Sequence, residues 1–112
     1  MQPIQPGPSF KENLALLPGI DGLERIELIG STGEIVASIP NEPGKQGSLA
    51  LYHYLGLCFG RIDRTAAEHG LLVFGEHTAD AQRRPGAHPN IDRLLEIVAG
   101  SGALNLHVIA RS

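Results

Sequence analysis

Eighteen consecutive residues, Gly75–Asp92 (GEHTADAQRRPGAHPNID), carry no apolar period. A connection longer than about 12–15 residues inside a compact domain is generally either functional or disordered, so this stretch constrains every fold open to a chain of 112 residues. It is preceded by LLVF (Leu71–Phe74), which lacks alternation and reads as a strand covered on both faces. It is followed by Ile91, Leu94, Leu95 and Val98 at helical spacing, with Gly100-Ser-Gly102 closing that helix. Leu104–Ala110 (LNLHVIA) begins in alternation and reads as a last strand. Strand, helix, strand in succession is a βαβ unit, which places Leu71–Phe74 near the centre of a sheet and parallel to Leu104–Ala110.

Upstream, residues 1–8 (MQPIQPGP) hold three prolines before any periodic pattern and read as a flexible or extended arm. Residues 9–112 form a single domain in this reading. Ser9 and Glu12 have the spacing of a capping box, and the short helix they open stops by Leu17, before Pro18. Leu23–Ile29 and Glu34–Ile39 flank Gly30-Ser-Thr-Gly33 and predict a β-hairpin with Ile26 and Leu28 facing the core. Pro40–Gln46 is a connector dense in turn residues. From Ser48 to His69, Leu51, Leu55, Phe59, Ile62 and Ala66 recur at three- and four-residue steps and predict one long helix ending at Gly70. The expected fold is α+β in the order α-β-β-α-β-α-β: a mixed four-stranded sheet, hairpin plus βαβ, with helices against it.

Composition narrows the functional classes. Net charge is −3, and nine basic residues are dispersed along the chain, so no nucleic-acid or anionic-membrane footprint is present. No apolar run reaches the ~20 residues that span a bilayer. A single cysteine, Cys58, excludes an intrachain disulfide and suits a reducing, cytoplasmic setting. Cys58 sits among Leu55, Leu57 and Phe59 and reads as a small buried hydrophobe. Gly56 and Gly60, four apart in the long helix, cost roughly 1 kcal/mol each relative to Ala. They point to close backbone packing, within the fold or across the two-fold of a homodimer.

Chemistry concentrates in the 75–92 stretch. His77 is a candidate general base, because an imidazole titrates near neutral pH, with Glu76 or Asp80 to orient it. His77, His88 and Asp92 form a candidate ligand set for a divalent ion such as Zn, Fe, Mn or Ni, although their spacing matches no established metal motif. Arg83 and Arg84 could grip a phosphate or carboxylate in bidentate fashion, with Asn90 as a further substrate contact. Pro89 suits the first helical position, which makes His88 the cap residue; alternatively Asn90 is the N-cap. Asp92 falls in the first turn, where the helix dipole favours a carboxylate. For His77 and His88 to act together, the turn at Arg84-Pro85-Gly86 must reverse the chain. Two functional classes follow. One is a small-molecule enzyme, metal-assisted or not, acting on a compact anionic substrate. The other is a non-catalytic binding or protein-interaction module. Side chains converging in a cleft favour the first.

The run FGEHTADAQRRPGAHPNIDRLLEI resembles a family of short bacterial proteins catalogued as domain of unknown function 2322. GEHTADA (Gly75–Ala81) with PGAHPNID (Pro85–Asp92) is the most specific part, and the likeness extends from FKENLALLP to LNLHVI. The resemblance implies a bacterial, single-domain, cytoplasmic protein. It implies no substrate.

Overall fold

The computed structural model describes residues 1–112 and assigns a three-stranded antiparallel sheet with five α-helices. The chain order is α1 (Phe10–Leu14), β1 (Leu23–Ile29), β2 (Ile35–Pro40), α2 (Gln46–Phe59), α3 (Arg64–Val73), α4 (Glu76–Arg83), α5 (Pro89–Glu96), a wide turn over Ile97–Ser101, and β3 (Asn105–Ala110). The strand order is β2-β1-β3. The expected mixed four-stranded sheet is therefore corrected to three strands, and no parallel pair exists.

The hairpin forms where the turn residues place it, with Ile26 opposite Ile39 and Leu28 opposite Ala37. Ile26 and Leu28 are fully buried. β3 joins the other side of β1, pairing Leu28 with Leu106 and Ile26 with Val108. α2 packs on β1 and β2, α3 packs on α2 and α5, and α4 packs on α5. One core of Leu, Ile, Val and Ala fills the space between, with Tyr52 and Tyr54 of α2 fully enclosed.

Two corrections share one physical cause. The single helix expected over 48–69 ends at Gly60, whose φ of 80° is a conformation that L side chains rarely adopt. A second helix starts at Asp63, whose carboxylate accepts the Ala66 N–H at 2.9 Å as an N-cap. Restarting there carries α3 through Gly70, the expected terminus, and absorbs Leu71–Val73 into its last turn. Leu72 is exposed while Val73 and Phe74 are buried, which is a helical burial pattern. With that strand gone, the βαβ unit disappears as well. Gly56 packs closely within the fold: a Cβ there would lie 3.2 Å from Leu106, so glycine lets β3 approach α2.

Residues 1–8 have no regular structure, yet specific bonds hold them. Ile4 N–H donates to the Tyr54 hydroxyl at 2.8 Å, and Gly7 N–H donates to Asn13 Oδ1 at 2.8 Å. No helix is long and apolar enough to cross a membrane.

Candidate functional site

The 75–92 stretch folds as α4, a reversing turn and the first turn of α5. Gly75 joins α3 to α4 at a φ of 60°, where an added Cβ would lie 2.7 Å from the Pro8 carbonyl oxygen. α4 is polar on nearly every side and buries only Ala81. Asp80 ties it internally, accepting from Arg84 one helical turn later. Gly86 then reverses the chain at a φ of 91°, and its N–H donates to Asp92 Oδ2 at 2.9 Å. The reversal lays His88 against α4.

There His88 Nε2 donates to Asp80 Oδ2 at 2.6 Å, and its ring centroid stands 5.9 Å from that of His77. A carboxylate only accepts, so the proton of this bond sits on Nε2; in the neutral form of the ring Nδ1 is then the nitrogen free to accept a proton. The Arg84 guanidinium first, and His88 second, hold the Asp80 carboxyl well below the usual carboxylate range. His77 rests edge-on against Phe10, with ring centroids 5.4 Å apart.

Both imidazoles line a cleft of about 590 Å³. Its walls also include Gly44–Ser48 at the start of α2 and Ala87–Ile91 at the start of α5, so two helix amino termini face one space. No side chain caps α2, and the N–H groups of Gln46, Gly47 and Ser48 take no hydrogen bond. Lys45 and Arg93 complete the wall, and no Asp or Glu lines it. Arg93 is fixed: Nη1 donates to Asn90 Oδ1 at 2.8 Å and to the Tyr52 hydroxyl at 3.1 Å, with the guanidinium 5.6 Å above the Tyr52 ring. Tyr52 in turn donates to the Asn90 carbonyl at 2.6 Å, and burial pushes its phenol up to about 12.

Among the residues singled out by sequence, His77, His88 and Asn90 reach the cleft, and Asp80 stands behind His88. Glu76 is engaged elsewhere: Oε1 accepts the Phe10 N–H at 2.8 Å at the start of α1, a bond that lowers its pKa. Arg83 and Arg84 lie outside the cleft, with side chains 70% and 63% exposed. Asp92 is bonded to Gly86, and no group of three or more His, Cys, Asp or Glu is arranged to hold a metal ion. His88 occupies the cap position and Pro89 the first position of α5; of the two N-cap readings, this is the one the backbone adopts.

Sequence reasoning passed over the opposite wall. Lys45 and Gln46 fall in the turn-rich connector, Ser48 and Arg93 in helical patterns, and none of them stands out by spacing. The usable signal was a Gly-Lys-Gln-Gly-Ser run between a strand and a long helix, where exposed amides and a cation meet.

A family model described as an uncharacterized protein conserved in bacteria (DUF2322) matches residues 10–108. The chain belongs to that family. The matched span contains every cleft residue named above and leaves out the amino-terminal arm. Comparison with curated proteins and with solved structures found no match.

Proposed function

We propose that this protein is a small-molecule enzyme that seats a compact anionic substrate between the starts of α2 and α5 and uses His88 for proton transfer. One observation carries the reading: in a chain of net charge −3, a single cleft gathers two imidazoles, a guanidinium and an ammonium with no carboxylate on its wall. Unpartnered amides at a helix start and the positive end of its dipole favour an anion there. Lys45 and Arg93 supply charge-assisted bonds. Asp80 fixes the tautomer of His88 so that Nδ1 takes a proton from substrate or water, and His77 is the second imidazole for the reverse transfer. Asp80 does not touch substrate in this scheme and acts as a positioning residue.

The test is a titration of the protein with inorganic phosphate and a set of phosphorylated and carboxylated small molecules, followed through the imidazole C–H resonances. The His77 and His88 resonances should move saturably while that of His107, on β3, stays fixed. Arg93→Gln should weaken binding by about 10-fold or more, the scale of one charge-assisted bond. For any compound turned over, His88→Ala should abolish turnover and leave binding largely intact. Absence of saturable shifts with every anion rules out the seat. Turnover unaffected by His88→Ala rules out its role.

A second reading, the non-catalytic interaction module, draws on the outward-facing Arg83 and Arg84. It requires the cleft to bind no anion, so the same titration separates the two.

A further inference from the structure

Backbone directions show that β3 presents an open edge. Leu104 exchanges both its N–H and C=O bonds with Ile62, at 2.9 and 2.8 Å, on the side of the strand away from β1. Successive residues of a strand alternate the side to which their backbone groups point. Arg111 N–H, an odd position, donates towards β1 at Gly22. The even positions Leu106, Val108 and Ala110 therefore aim their N–H and C=O groups outward, beyond the point where Ile62 provides cover. β2, the other edge strand, also has an outer side, but it is blunted by Pro40, which has no N–H, and entered through Glu34. From Leu106 to Ala110, β3 has neither a proline nor an Asp, Glu, Lys or Arg.

The flank of that edge is apolar. A groove of about 220 Å³ runs between Leu106 and Val108 on one side and His53, Gly56, Leu57 and Gly60 of α2 and its cap on the other. Leu57 and Val108 are 46% and 42% exposed there.

We propose that this edge pairs with the same edge of a second copy, as an antiparallel two-fold centred on Val108. The register is self-complementary. Val108 faces its own counterpart, and Leu106 faces Ala110 of the second copy, so every outward N–H and C=O of the open stretch finds a partner. On the opposite face of the sheet, His107 meets Ile109 and Asn105 meets Arg111, and no like charges are opposed. Leu106 lies opposite Ala110, the last residue of the partner's β3, so the paired stretch runs from Leu106 to Ala110 and Leu104 keeps its bonds to Ile62. The product is a continuous sheet, β2-β1-β3-β3-β1-β2, with both α2 helices on one face and the two Leu57–Val108 patches joined across the axis. An isologous pairing of this kind closes and does not propagate.

Sedimentation over a wide concentration range is the first test. Wild type should approach about twice the 11.9 kDa chain mass, and Val108→Lys, which opposes two ammonium groups at the axis, should return it to the chain mass with its circular dichroism retained. Ile35→Lys, on the β2 edge, should leave the dimer intact. Amide exchange of the unmodified chain provides a test that no variant can confound by unfolding. Leu106, Val108 and Ala110 amides should be protected at high concentration and lose protection on dilution, while His107 and Ile109, bonded to β1, stay protected throughout. A wild-type mass that stays at one chain, a dimer that survives in folded Val108→Lys or is lost in Ile35→Lys, or even-position amides that exchange freely in the dimer would each overturn the proposal.

Discussion

Asn13 shows how much a single side chain can hold. It is 1% exposed, accepts from Gly7 N–H, and donates Nδ2 to the carbonyls of Gly7 at 2.9 Å and Val73 at 3.0 Å. It thus ties the amino-terminal arm and the end of α3 to α1. Asn13→Ala leaves the Val73 carbonyl without its donor, and a buried polar group so orphaned costs about 1–3 kcal/mol. Urea unfolding should show a loss of about 2–3 kcal/mol, with faster exchange at the Gly7 amide; a loss within experimental error would show that the arm and α3 are held by other contacts. Nothing in the local sequence marks this role, because a tripartite bond between segments 60 residues apart has no periodic signature. The same holds for His69. It stands inside α3 with Nε2 2.6 Å from the Tyr54 hydroxyl, and burial lowers its pKa. His77 and His88 are the contrasting case: their meeting was legible because it required only the local reversal that Pro85-Gly86 encodes.

At the scale of elements, the hairpin, α1 and the last strand were readable, since turn residues and alternation act over short range. The error at Leu71–Phe74 has a simple origin. Four apolar residues in a row fit a buried strand and the buried end of a helix equally well. The deciding residues lay upstream of that run, in the Gly60 stop and the Asp63 cap. α4 was hidden for a different reason: with only Ala81 buried, it has no apolar stripe to detect, although Glu, Ala, Gln and Arg are good helix formers. Gly70 tests the corrected assignment. Inside α3, a Cβ at that position would lie 2.8 Å from Leu94 Cδ1 and 2.9 Å from Leu55 Cδ1, and both leucines are fully buried. Alanine gains about 1 kcal/mol of helix propensity but overpacks the α2–α3–α5 junction at a cost of about 1–3 kcal/mol. Gly70→Ala should therefore be neutral to destabilising in thermal unfolding. A clear rise in Tm would mean that the three helices do not pack this tightly.

For the whole molecule, the two tyrosines of α2 are the cross-ties. Tyr52 joins α2 to α5 through Asn90 and Arg93, and Tyr54 joins it to α3 through His69 and to the arm through Ile4. Burial raises the pKa of both phenols, that of Tyr52 to about 12 from an ordinary 10.0. Between those values the native state holds a proton that the unfolded chain has released. Stability is therefore fully present below pH 10, falls as pH rises from 10 towards 12, and levels off beyond. A two-unit difference corresponds to about 3 kcal/mol for Tyr52. Since the chain has two tyrosines and no tryptophan, phenolate absorbance reports these two sites directly. At pH 10 the native protein should show less than half of the phenolate signal that the urea-unfolded chain gives, and urea midpoints should decline steadily above that pH. Tyr52→Phe should flatten the alkaline decline while lowering stability at neutral pH, where the hydroxyl still bonds Asn90. Native phenols that ionise at pH 10 like the unfolded chain would mean that α2 is not enclosed between the sheet and the other helices, and would remove the wall on which Arg93 is held.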